Sequence, residues 1–127
     1  DEKAQYVIGY MYHKGKGVPK NYVKAADWYK KAAEHKNTKA LNNLAYLYQK
    51  GKGVNKDIHK AEQLLLKSAK QGDDVACLNL GILYQTGKLG TANMEDVEYW
   101  YRKAMDKGNP TATRIYRRIQ SMEQKEN

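Results

Sequence analysis

The stretch Ala76-Cys77-Leu78-Asn79-Leu80-Gly81-Ile82-Leu83-Tyr84 decides the fold, because its pattern has been written twice before in the same chain. Thirty-six residues earlier, Ala40, Leu44, Leu47 and Tyr48 hold the places of Ala76, Leu80, Leu83 and Tyr84, and 36 earlier still stand Ala4, Ile8, Met11 and Tyr12. The interval carries forward to Ala112 and also links Gly15, Gly51 and Gly87, with no insertion anywhere. Apolar residues at i, i+4, i+7 and i+8 mark one face of an α-helix, here called helix A. A fixed period of this length marks a stack of helical units, each too small to bury its apolar face alone.

The second half of each unit predicts a helix B. Ala25-Ala26-Asp27-Trp28-Tyr29-Lys30-Lys31-Ala32-Ala33 is echoed by Ala61 to Ala69 and by Val97 to Met105. Its stripe at 25, 28, 29, 32 and 33 gives helix A a surface to pack on. Asp1, Asn37, Asp73 and Asn109 precede each helix A, and Asn21, Asp57 and Asn93 precede each helix B. A short side-chain acceptor at that place satisfies an orphan N–H of the first turn. Pro110 suits the first position of a helix. Gly15, Gly51 and Gly87 are placed to end helix A, and Gly72 and Gly108 to end helix B, in the left-handed conformation glycine tolerates best. Lys36 stands where a third such glycine is expected, which predicts a strained or differently shaped turn. Gly9, Ala45 and Gly81 keep the middle of helix A small, so that helix B can come close. The fourth unit breaks that rule with Arg117 and has Gln120 in place of the repeated tyrosine. Residues 109–124 are therefore expected to form a polar helix that closes the stack.

Composition excludes several classes of function. In 127 residues, 41% are hydrophobic and 29% charged, which fits a folded domain rather than a disordered or fibrous chain. No apolar run approaches the roughly 20 residues of a membrane span. The lone Cys77 cannot form an internal disulfide, and His13, His35 and His59 lack companion ligands for a structural zinc. These histidines are expected to sit solvated at helix ends, and Cys77 to be a partly buried, inert thiol. There are eleven Tyr and no Phe. The in-register Tyr12, Tyr48, Tyr84, Trp28, Tyr29, Trp100 and Tyr101 are expected in the core. With no initiator Met and no leader pattern, a mature form or an excerpt is expected, lacking either upstream repeats or a removed leader.

The A-helix text, the Gly51-Lys52-Gly53-Val54 type of loop and the Lys24-to-Ala33 helix together resemble the Sel-one-like repeat (SLR), a relative of the tetratricopeptide repeat. Leu64-Leu65 in unit two and Gly87-Lys88-Leu89-Gly90 in unit three depart from the pattern. The resemblance implies an all-α fold, a right-handed α/α superhelical solenoid, with repeats at 1–36, 37–72 and 73–108, a capping helix at 109–124 and a tail at 125–127. It implies a protein-interaction scaffold, commonly bacterial and placed in the periplasm, envelope or secreted space, with the cytoplasm left open. Some relatives hold each repeat with a disulfide; this chain does not follow that branch. Others are linked to β-lactams, but Ser68 and Ser121 lack the Ser-x-x-Lys spacing that chemistry needs. The Gly-Lys-Gly-Val loops lie between helices rather than between a strand and a helix, so turn chemistry accounts for them and phosphate binding does not.

If the likeness holds, helix A lines a concave surface. The residues pointing into it are Tyr6, Tyr10, His13 and Lys14 in unit one, Asn42, Tyr46, Gln49 and Lys50 in unit two, Leu78 and Ile82 in unit three, and Arg114 and Arg118 in the cap. Exposed Tyr and Arg are favoured types at binding hot spots. The net charge of +9 divides as +4 over residues 1–38, +3 over 39–74, zero over 75–110 and +2 over 111–127. Lys14, Lys16, Lys20, Lys50, Lys52 and Lys56 form a loop ladder, read first as a solvated edge and otherwise as steering toward an acidic partner. The leading expectation is a non-enzymatic adaptor for a protein with an acidic surface or segment. An immunity-type protein that neutralises a secreted toxin is an alternative, and nucleic-acid binding a lesser one. No catalytic set, metal site, cofactor, small-molecule substrate or membrane insertion is expected.

Overall fold

The computed structural model describes residues 1–90 and 93–126. Among them are seven helices and no strand: α1 (Glu2–Lys14), α2 (Tyr22–Glu34), α3 (Thr38–Lys50), α4 (Ile58–Lys70), α5 (Asp74–Gln85), α6 (Met94–Asp106) and α7 (Pro110–Glu126). The A helices are α1, α3 and α5, and the B helices α2, α4 and α6. The helices fall into two compact units, Asp1–Gln71 with α1–α4 and Gly72–Asn127 with α5–α7.

Local chemistry sets the helix ends where the period places them. The Asn37, Asp73 and Asn109 side chains each accept the N–H three residues on at 2.9 Å, and Asp1 accepts from Lys3 and Ala4 at 2.8 and 3.0 Å. Asn21, Asp57 and Asn93 cap the B helices in the same way. Gly15 and Gly51 close α1 and α3 with φ of 71° and 67°, their N–H groups returning to the Met11 and Leu47 carbonyls. The third A helix differs by one residue. It stops at Gln85 with Thr86 as its cap, whose hydroxyl donates to the Leu83 carbonyl at 2.7 Å, and Gly87 follows with φ of 71° instead of capping.

The turn at Lys36 keeps the shape of its counterparts and carries the strain. Its φ is 60°, against 92° and 90° at Gly72 and Gly108, so a Cβ sits where the other repeats have none. Lys36→Gly is expected to raise stability by about 1 kcal/mol, the relief of left-handed strain less the entropy of a freer unfolded chain. A rightward shift of the urea midpoint with unchanged slope reads this out.

The small residue in each A helix proves to be a seat for one B-helix side chain. A Cβ on Gly9 would lie 2.7 Å from Cδ1 of Tyr29, and a Cβ on Gly81 2.7 Å from Cδ1 of Tyr101. Both rings are fully buried. Repeat two changes both members together: Ala45 stands at the glycine position and Leu65 at the tyrosine position, and both are buried. Gly53 is required for a different reason. With φ of 74° it lies against the Tyr22 carbonyl, so the second loop seats on the start of α2.

In the second unit, Val97, Tyr101 and Ile119 form a buried cluster against which Leu78, Tyr84, Ile115 and Tyr116 pack. Asn109 ties this end together by donating to the Asp74 carboxylate at 2.9 Å while capping α7. Arg117 and Gln120 are exposed, as a closing helix needs. That helix runs to Glu126, two residues past the expected limit of 124; of the expected tail, Asn127 lies outside the described residues. The apolar stripe weakens in α1, where Ala4 is exposed while Ala40, Ala76 and Ala112 are buried.

Candidate functional site

His13 departs most from its expected place. It was expected to be a solvated helix-end side chain, yet it is only 8% exposed, while His35 and His59 are exposed. Its Nδ1 lies 2.9 Å from the Tyr29 hydroxyl, and Asn43 Nδ2 donates to that same oxygen at 3.2 Å. Asn43 thus donates to Tyr29, and the Tyr29 hydroxyl and His13 Nδ1 share a hydrogen bond whose direction is set by the imidazole tautomer. Its ring stands edge-on to Tyr22 and Tyr29 and stacks on Tyr46, all at 5.8 Å between centroids. Burial, with Lys14, Lys52 and Lys20 adding repulsion, holds the imidazole below its usual pKa. Burial likewise drives the Tyr29 hydroxyl far above the usual tyrosine range.

That depression has a defined sign. The folded state resists the proton that the unfolded chain takes up near pH 6.5, so this contribution to stability is present above about pH 6.5 and lost as pH falls through the lower folded value. Replacing His13 by Gln supplies a non-titrating acceptor of the kind the third repeat uses, where Tyr101 donates to Gln85 at 2.5 Å. Between about pH 7.5 and 5, a window spanning the ordinary imidazole value, the wild type is expected to lose more of its thermal midpoint than His13→Gln. Parallel profiles would remove His13 as the cause.

Around this buried relay, tyrosines and lysines alternate. Lys16 and Lys14 ammonium groups lie 5.3 and 6.0 Å from the Tyr10 ring centroid, and Lys20 lies 5.6 Å from that of Tyr22. Lys52 sits between two rings, 5.3 Å from Tyr22 and 5.5 Å from Tyr46, and donates to the Tyr46 hydroxyl at 3.4 Å. Cations on aromatic faces at these distances are attracted by the ring quadrupole. The Lys52 ammonium holds its proton more tightly than usual, chiefly through the Tyr46 hydrogen bond.

The first unit thus brings together Tyr10, His13, Lys14 and Tyr46 of the expected set, and adds Tyr22, Lys16, Lys20 and Lys52. Tyr6 is half-buried, its ring stacked 5.9 Å from Tyr29, which makes it part of the support rather than an open surface. Asn42 and Gln49 are half-buried on α3, and Lys50 is exposed. In the second unit Ile82 is 41% exposed, and Arg114 and Arg118 are exposed on α7. Leu78 is half-buried and packs on the Val97–Tyr101–Ile119 cluster. Sequence reasoning treated Lys52 as part of a solvated edge and did not single out Tyr22. One signal was available: no Asp or Glu occurs from Lys3 to Ala26 or from His35 to Lys56, stretches that each hold five lysines.

Elsewhere the side chains offer little chemistry. Cys77 is fully buried rather than partly so, and burial pushes its thiol up, away from the reactive thiolate. Among the described residues no three His, Cys, Asp or Glu side chains cluster to hold a metal ion, and no helix is long and apolar enough to cross a membrane.

Tandem helix pairs with in-register caps, closed by a polar helix, define the α/α repeat class of solenoid proteins. The Sel1 repeat model matches residues 2–37, 38–73 and 74–109, and the chain belongs to that family. The Sel1 repeat protein of Oxalobacter formigenes is similar at a TM-score of 0.85 and 35% identity, over 91% of this chain and 47% of that one. A protective antigen present in uropathogenic Escherichia coli strains, displaying an SLR fold, is similar at 0.83 and 35%, over 87% of this chain and 24% of that one. The chitin synthase regulator SKT5 of Saccharomyces cerevisiae shares 45% identity over 42 residues, 33% of this chain and 6% of the yeast protein. The chain spans less than half the length of each of these relatives. Proteins of the Sel1 repeat family generally act by binding other proteins.

Proposed function

We propose that this chain is a non-enzymatic interaction module that holds an acidic segment of another protein on the tyrosine–lysine surface of α1, α3 and their loops. The observation that carries the reading is the placement of four lysine ammonium groups on the rings of Tyr10, Tyr22 and Tyr46. Such a surface offers charge to carboxylates and flat apolar area to the side chains between them. Tyrosine provides that area at low entropic cost, which is why it concentrates in binding faces. The cations also favour rapid encounter with an acidic partner. Arg114 and Arg118, exposed on α7, offer a second basic group on the other unit.

Fluorescence anisotropy with a labelled peptide of alternating Glu and Leu tests the reading, with an oligothymidine of equal charge as the competing ligand. The peptide is expected to bind more tightly, and Tyr46→Ala combined with Lys52→Gln to weaken it by about tenfold, the loss of one anchor ring and one ion contact. Tighter binding of the oligothymidine, with the steep salt dependence of counterion release, would turn the reading toward nucleic acid. Absence of binding by both would end it.

A further inference from the structure

A second feature lies apart from the tyrosine–lysine surface, within the first unit. Among the described residues, Lys36 is the one non-glycine residue with positive φ. Backbone strain at a position where the sister repeats use glycine is retained when the side chain has a task, and the inference runs from the outlier to the task. Lys36 lines a recess of about 560 Å³ between the C-terminal ends of α2 and α4 and the first turn of α3. Ala33 and the buried Leu41 supply its apolar part. Lys67 and Lys70, both exposed, line it with Lys36, and Glu34 is the one carboxylate there.

Charge decides what such a recess prefers. Its lining carries three lysines and one carboxylate. The two helix C-termini contribute roughly half a negative charge each, which leaves the recess still positive by about one unit. Neutralising those termini does not require strain, since Lys31 already lies in the last turn of α2 and Lys67 and Lys70 in that of α4. The strained Lys36 adds charge beyond that need. The volume matches sites for small ligands, which combine apolar lining with a few charged groups.

We propose that this recess binds a small anion carried on a short apolar stem, a carboxylate or a phosphate monoester, with the lysines taking the head group and Ala33 and Leu41 the stem. The site stands independently of the acidic-segment reading, because it shares no residue with that surface.

The test follows the Leu41 methyl and Gln71 amide NMR signals of the whole chain. Hexanoate and hexyl phosphate are titrated to about 20 mM, enough to saturate a millimolar site. Saturable shifts with at least one of them are expected, and the tighter of the two identifies the head group. Inorganic phosphate, lacking the stem, is expected to bind about tenfold more weakly, and hexylammonium not at all. Equal shifts with hexylammonium, or none with either anion, would overturn the site. Lys36→Gly supplies the decisive comparison: its urea midpoint should rise while its affinity for the anion falls about tenfold, the loss of a charge-assisted contact. Unchanged affinity would overturn the role of Lys36, and a lowered midpoint would overturn the strain on which it rests. Lys67→Gln combined with Lys70→Gln, at exposed positions, should lose the same affinity with little change in stability; retained affinity in that variant also counts against the site.

Discussion

Tyr29→Ala is expected to lower the stability of the first unit by about 3–5 kcal/mol, the range for truncating a large buried aromatic side chain. The ring is fully buried, stacks on Tyr6 at 5.9 Å and meets His13 edge-on at 5.8 Å. Truncation opens a cavity beneath α1, where Gly9 has no side chain to fill it. It also removes the hydroxyl that His13 Nδ1 and Asn43 Nδ2 share. Tyr29→Phe separates these effects. It keeps the ring and removes only the relay, so about 1–3 kcal/mol is expected, the cost of leaving buried polar partners unsatisfied. Urea unfolding of both variants makes the comparison. A Phe variant as stable as the wild type would mean that water satisfies His13 and Asn43, and that the relay does not hold the site.

Gly81→Ala is expected to cost toward the upper end of about 1–3 kcal/mol, the range for overpacking a core. The added methyl would stand 2.7 Å from the Tyr101 ring, which cannot swing aside because Val97 and Ile119 pack around it. Repeat two prescribes the remedy, since Ala45 and Leu65 occupy the same two positions there. Tyr101→Leu alone should also destabilise, by leaving space over a bare glycine and stranding the Gln85 acceptor. Together, Gly81→Ala and Tyr101→Leu should cost less than the sum of the single changes, with a coupling of about 0.5–3 kcal/mol. Strict additivity would show that the pairs in repeats one, two and three are unrelated.

Both predictions rest on pairs twenty residues apart that only one dimension of the sequence displayed. The 36-residue period, the caps and the small residues of helix A could be read directly, because they obey local rules of helix initiation, termination and spacing. α5 ends one residue before its counterparts, with Thr86 as its cap and its hydroxyl on the Leu83 carbonyl, while Gly87 keeps the left-handed φ of Gly15 and Gly51. His13 could not be read. A histidine in the last turn of a helix is ordinarily solvated, and its burial depends on Tyr22, Tyr29 and Tyr46 arriving from two other helices. The packing of Leu78 on the Val97–Tyr101–Ile119 cluster was hidden for the same kind of reason, since helical periodicity gives the face of a residue and leaves open which neighbours touch it.

The candidate site shows the same division more sharply. The sequence nominated tyrosines on one face of helix A and lysines in the loops as two separate features, one for binding and one for solubility. Folding brings the second loop back over the start of α2, where Gly53 permits contact with the Tyr22 backbone, and this sets Lys52 between two rings. That register is a long-range consequence of how α1, α2 and α3 pack.

By itself the sequence determined the architecture: three helix pairs and a closing helix, delimited by caps and glycines whose effects reach only a few residues. Only the tertiary structure decided which of the eleven tyrosines are core and which are surface, that His13 is buried and bonded to Tyr29, and that Lys36 bears strain beside a basic recess. The physical reason is one of range. Helix ends are set by hydrogen bonds between near neighbours, whereas burial, ring stacking and charge clustering are set by packing between residues many positions apart.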